Sequence, residues 1–180
     1  MKKLTLLIVA ALVVASTCSA LPLVGTNALK LSVGGFVNVN NEGSCVTAGP
    51  EITASTQVAT NRIGEVDVLF SQAYGITLDG QKDSSGITSV GASHTLERLN
   101  CPILAPAINA VKSVGLTPYV EGRASFEYGE RKPNWYLTPS IGVQRRLSSR
   151  DALYAQAGYN VSIANRNDGI SIRFGLCRTF

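Results

Sequence analysis

The chain has 180 residues, 45% of them hydrophobic and 16% charged, with a formal net charge of +4 and one histidine. That length suits a single domain, and such a weak, evenly spread positive charge argues against a nucleic-acid partner. One histidine and widely spaced cysteines without a C-x-x-C pair argue against a metal centre, and nothing else in the chain calls for a cofactor.

The first element is an export signal. Lys2 and Lys3 form the basic start, residues 4–15 an apolar run, and Cys18, Ser19 and Ala20 supply small residues for cleavage after Ala20. The run is shorter than the roughly 20 residues of a membrane-spanning helix; a retained anchor is the other reading. Cleavage leaves one domain, residues 21–180, and takes the formal charge from +4 to +2. Three cysteines remain, Cys45, Cys101 and Cys177, so at least one thiol is left free or pairs with another molecule.

From there the sequence alternates with period two, the pattern of strands with one apolar face. Residues 29–40 align Leu29, Leu31, Val33, Val37 and Val39. Residues 51–60 form a Thr-rich strand with Ile52, Ala54 and Val58 in line. Residues 64–78 set Val66, Val68, Phe70, Tyr74, Ile76 and Leu78 against Glu65, Asp67, Ser71, Ala73 and Thr77. Residues 87–96 make a fourth strand through Val90, Ala92 and Leu96.

Residues 102–114 break the period. Ile103, Leu104, Ala107, Ile108 and Val111 recur at helical spacing between Pro102 and Gly115. This predicts a short amphipathic helix that plugs one barrel mouth or lies at a membrane interface; a ninth strand or an irregular loop is the other reading.

Four long strands follow, at residues 115–128, 135–147, 152–163 and 169–180. Their short connections, rich in Asn, Asp, Gly, Pro and Ser, make neighbours antiparallel. The expected fold is therefore all-β: a closed antiparallel up-and-down barrel of eight strands, with one helix between the fourth and fifth. An even count puts both termini on one side, together with the turns at 61–63 and 148–151 and the helix. Residues 42–50, 79–85, 129–134 and 164–168 become the loops of the other side.

Alternation alone does not say which face meets solvent. Three features favour an apolar face turned outward to lipid. The apolar faces hold small residues such as Ala155, Ala157, Gly122 and Ala124, where a packed core demands complementary volumes. Aromatics sit towards strand ends, at Tyr128, Trp135, Tyr136, Tyr154 and Phe180, as in an interfacial girdle. The polar faces carry both charge signs: Glu65, Asp67, Glu121 and Glu127 against Arg123, Arg146 and Arg173. In a narrow lumen these form a polar network that plugs the barrel. The alternative is a soluble periplasmic or secreted barrel with those charges outside and a small apolar ligand within.

The closing residues 169–180 resemble the last strand of an outer-membrane β-barrel, with Phe174 and Leu176 in the apolar register and Phe180 at the end. Residues 117–123 and 137–143 are similar to mid-barrel strands of OmpA/OmpX-type proteins. The resemblance implies an eight-stranded barrel in a bacterial-type outer membrane, with lipid as its surroundings. It also implies that the barrel-assembly machinery reads Phe174, Leu176 and Phe180 as a C-terminal signal. It leaves the oligomeric state open. Two departures stand out: Arg178 falls on the lipid face, and Pro118 and Pro139 lie inside strands.

No catalytic constellation emerges. A triad would have to use His94, and its neighbour Ser93 points to the opposite face of a strand. A lipid-modifying enzyme with a wall histidine is the second alternative. Parity and position allow one disulfide, Cys101–Cys177, pinning the helix into the barrel mouth, with Cys45 too distant to join either; the other reading leaves all three isolated. The expected role is structural or surface-interacting, without an enzymatic reaction.

Overall fold

A computed structural model describes residues 28–40, 45–78, 83–99, 101–129, 133–163 and 168–180. The expected export signal and parts of the four expected outer loops lie outside these residues. Eight strands follow in order: β1 (Leu29–Asn40), β2 (Val46–Thr60), β3 (Glu65–Thr77), β4 (Ser84–Thr95), β5 (Thr117–Gly129), β6 (Asn134–Arg146), β7 (Asp151–Ser162) and β8 (Gly169–Thr179). One helix, α1 (Ala105–Ser113), separates β4 from β5. Each strand is antiparallel to the next, and β8 returns to pair with β1. Closure leaves no strand edge unpaired, so every strand can satisfy its backbone groups within the sheet.

The register sets the barrel's girth. From Lys30 the pairing passes Ser55, Leu69, Gly91 and Arg123 to Thr138, whose hydroxyl donates to Asn160. It continues through Gly169 and re-enters β1 at Asn40, ten residues further on. Eight strands with that stagger tilt by roughly 35–45° and enclose an interior that side chains can fill.

The alternation read from the sequence is the alternation of the wall. Val33, Ile52, Phe70, Val90, Ile141, Ile172 and Phe174 all point outward and are exposed. Ser32, Thr53, Ser71, Ser89, Ser125, Thr138 and Ser171 point inward and are buried. The barrel is thus apolar outside and polar inside. One apolar cluster, Phe36, Ala73 and Ile87, interrupts the polar lumen.

Some boundaries differ from those expected. β2 starts at Val46, because the chain continues through Gly49 and Pro50 with β1 still paired across from them. Pro50 has no N–H to give, and the β2–β3 ladder skips residues 49 and 50. A bulge between Gln57 and Ala59 then switches face parity at the end of β2. β4 starts at Ser84, three residues before the apolar alternation begins.

The helix is shorter than expected, because residues 102–104 form a turn ahead of it and Pro106 sits in its first turn. It ends where Gly115 adopts φ 76° and the Leu116 N–H donates to Val111 O at 3.3 Å. Among the described residues α1 packs against β5. None of its residues is among those that line the cavity inside the barrel. Of the two expected placements, the mouth plug is therefore not the one adopted.

Gly142 illustrates how tightly the lumen is filled. A Cβ there would run into the ring of Tyr119, whose hydroxyl donates to Gln156 Oε1 at 2.7 Å. Gly142→Val is expected to destabilise the barrel by about 1–3 kcal/mol through overpacking. A lower urea midpoint in a detergent-refolded sample would measure it; an unchanged midpoint would mean that Tyr119 can move aside without cost.

Candidate functional site

The lumen gathers side chains that the sequence scatters over all eight strands. Alternation aims every second residue inward, and the stagger brings distant strands to one level. At the waist, Glu51 (β2), Glu121 and Arg123 (β5) and Arg173 (β8) form a buried quartet. Arg123 pairs with both Glu51 and Glu121, and Arg173 Nε lies 3.2 Å from Glu51 Oε2. The remaining capacity is partly taken by neutral neighbours. Arg123 Nη1 donates to Ser71 Oγ at 3.1 Å, Gln156 Nε2 to Glu121 Oε1 at 2.8 Å, and Arg173 Nη1 to Ser171 Oγ at 2.9 Å. Two carboxylates and two guanidiniums balance in charge. That balance is what makes their burial tolerable, since a lone buried ion costs several kcal/mol.

A second group sits nearer the rim where β1 starts and β8 ends. Lys30 Nζ lies 2.7 Å from Asp67 Oδ2 and 3.5 Å from Glu65 Oε2. Between this group and the waist lies a cavity of about 290 Å³, reaching from Ser149 and Arg150 at the rim to Glu121 and Arg123. Towards the other rim, the Tyr136 hydroxyl donates to Glu127 Oε2 at 2.7 Å.

The expected network of Glu65, Asp67, Glu121, Glu127, Arg123, Arg146 and Arg173 thus divides. Glu121, Arg123 and Arg173 meet at the waist; Glu65 and Asp67 belong to the rim group; Glu127 is bonded apart. Arg146 is exposed at the cavity mouth. Two members were missed. Lys30 alternates with Leu29 and Leu31, so parity alone could have found it. Glu51 was hidden because it stood at the expected start of its strand, beside a presumed loop.

Other expected features also find their places. Tyr128 and Trp135 point outward; Phe126 stacks on Tyr128 at a centroid distance of 6.0 Å and meets Trp135 tilted at 4.7 Å. Tyr136 and Tyr154 do not join this girdle: their positions alternate with outward residues, and both face the lumen. Outward Arg178 is neutralised by Asp151, with Nε 2.8 Å from Oδ1. Phe174, Leu176 and Phe180 are all exposed on the outer wall.

Cys101 and Cys177 form no disulfide in the structure. Cys177 lines the lumen cavity, whereas the helix that follows Cys101 packs on β5, with β6 and β7 between it and β8. His94 and Ser93 lie on opposite sides of the wall. Ser93 lines the cavity, while His94 points outward, is buried, and has Nε2 3.1 Å from Asn61 Oδ1. Asn61 Oδ1 also accepts the N–H groups of Ile63 and Gly64, which makes this a turn-holding contact. Among the described residues no group of three or more His, Cys, Asp or Glu is placed to hold a metal ion.

No family model and no curated protein matches the sequence. Solved structures do match the fold. The N-terminal β-barrel domain of Pseudomonas aeruginosa OprF aligns at a TM-score of 0.54 and 13% identity, over 87% of this chain and 99% of that one. Neisserial surface protein A (NspA) aligns at a TM-score of 0.55 and 14% identity, over 85% of this chain and 96% of that one. At these identities the likeness is one of fold.

Proposed function

We propose that this eight-stranded barrel is an integral protein of a bacterial-type outer membrane, with a structural or surface-interaction role and no enzymatic reaction. One observation carries the reading: large apolar side chains are exposed around the outer wall while the ion pairs are buried inside. A soluble barrel has the reverse arrangement, because water would meet the apolar wall at about 25 cal/mol per Å². Lipid removes that penalty, and closure satisfies the backbone. The fold shared with the OprF domain and NspA supports the same reading. So does the exposed C-terminal strand through Phe180, which offers the assembly machinery its apolar face.

The filled waist argues against passive conduction, since the 290 Å³ cavity ends at Glu121 and Arg123. The separation of His94 from Ser93 argues against a hydrolase built on that histidine. The test is fractionation of cells expressing the full chain. The protein stays in the outer-membrane pellet after carbonate washing and migrates faster on a gel when not boiled. Release by carbonate would return the soluble reading to first place.

A further inference from the structure

We infer that the β4–β5 connection is a membrane-surface element: α1 lies in the interfacial layer on the side where β1 starts and β8 ends, with its free apolar arc in lipid and neighbouring arginines at anionic headgroups. The inference rests on the outer-membrane reading and adds a partner to one segment of it.

The first observation is a covered patch on an otherwise bare wall. Ala59, Val66, His94, Val120 and Ile141 pair in succession across β2 to β6 and all point outward. Ile141 is 69% exposed, yet Ala59, Val66 and His94 are only 2%, 4% and 2% exposed. The described parts of the connection, residues 96–99 and 101–116, run along this side. The Arg98 N–H donates to Ile63 O at 2.8 Å and the Leu96 N–H to Pro118 O at 2.8 Å, while α1 packs against β5. The segment therefore stands where lipid contacts the rest of the wall.

The second observation is what the segment shows on its own free side. Ile108 is the only buried residue of α1. Ile103 and Leu104 in the turn before α1 and Val114 just after it are 88%, 48% and 63% exposed, and between them Ala107 is exposed and Val111 half-buried at helical spacing. An apolar arc left open next to a lipid-facing wall continues that wall. Water would be a poor neighbour for it.

Charge completes the fit. Arg62 and Arg98 are exposed beside the segment, and the last turn of α1 carries Lys112, whose ammonium donates to Glu97 O. Cations next to an apolar helix face match an anionic phospholipid surface, with the stems lying along the apolar layer and the heads at the phosphates.

Fluorescence in vesicles tests this, because Trp135 is the only tryptophan. The native chain reports the wall; Ile103→Trp combined with Trp135→Phe reports the segment, at a position exposed enough not to disturb folding. Each is reconstituted in phosphatidylglycerol-containing vesicles with and without brominated acyl chains. We expect both indoles to lose about half or more of their emission to bromine, as interfacial burial of 5–10 Å implies. Quenching of Trp135 without quenching of the Ile103→Trp indole overturns the inference and leaves the membrane reading standing. Quenching of neither overturns both. The blue shift of the Ile103→Trp indole is also expected to be larger with phosphatidylglycerol than with phosphatidylcholine alone, and to lose that excess in Arg62→Gln/Arg98→Gln. Equal shifts in the two lipids overturn the headgroup assignment.

Discussion

Arg123→Met is expected to lower the unfolding free energy of the barrel by about 3–5 kcal/mol, the cost of removing one partner from a buried ion pair. Arg123 contacts both waist carboxylates, and its side chain is 2% exposed, as is that of Glu51. Without it, Glu51 and Glu121 face a single guanidinium, that of Arg173. The site then carries an uncompensated negative charge where the lumen gives it little water. The penalty comes from leaving that charge behind, so removing it should help. Arg123→Met/Glu51→Gln leaves Glu121 with Arg173, one charge of each sign. The double variant should therefore be more stable than Arg123→Met alone, although two contacts have been lost. Urea unfolding in vesicles, followed by Trp135 emission, measures both. A loss under about 1 kcal/mol for Arg123→Met would mean that the waist behaves as an exposed pair.

Ile141→Arg addresses the opposite face. Ile141 lies near the middle of β6 and is exposed on the outer wall. In a bilayer an arginine there sits near the midplane, where it costs about 2–4 kcal/mol. On a water-exposed wall the same change would stay within about 0.5 kcal/mol. The two readings of the barrel thus differ in a single measurement, again the urea midpoint in vesicles. A matched substitution near an interface, Leu153→Arg at the start of β7, should cost much less, because the side chain can snorkel to the headgroups. Equal, small effects at both sites would reject the membrane reading.

The strands were legible because their period is local. β1, β3 and β5 to β8 lie within two or three residues of their expected bounds, since each presents one apolar and one polar face over its whole length. β2 was cut short at Glu51 because Gly49 and Pro50 read locally as a turn, and only the neighbouring β1 keeps them in the sheet. The site was half legible for a related reason. Parity assigns Glu121, Arg123 and Arg173 to the lumen, but says nothing of which charges share a level. That depends on the ten-residue stagger, a property of closure. It carries Glu51 to Arg123 and Arg173, and leaves Glu127 with Tyr136.

The helix marks the same division. Spacing over residues 102–114 predicts a helix with an apolar face, and a helix forms there. Whether that face meets the lumen, the wall or its surroundings is not written in the spacing. It is settled by where β4 ends, by the Arg98 and Leu96 backbone bonds, and by packing against β5, all of which keep α1 outside. What the sequence determined by itself is therefore the strand count, the two-faced wall and the presence of the helix, because these follow from backbone periodicity. What the tertiary structure decided is which side chains meet, because closing eight tilted strands fixes contacts between residues that no local pattern connects.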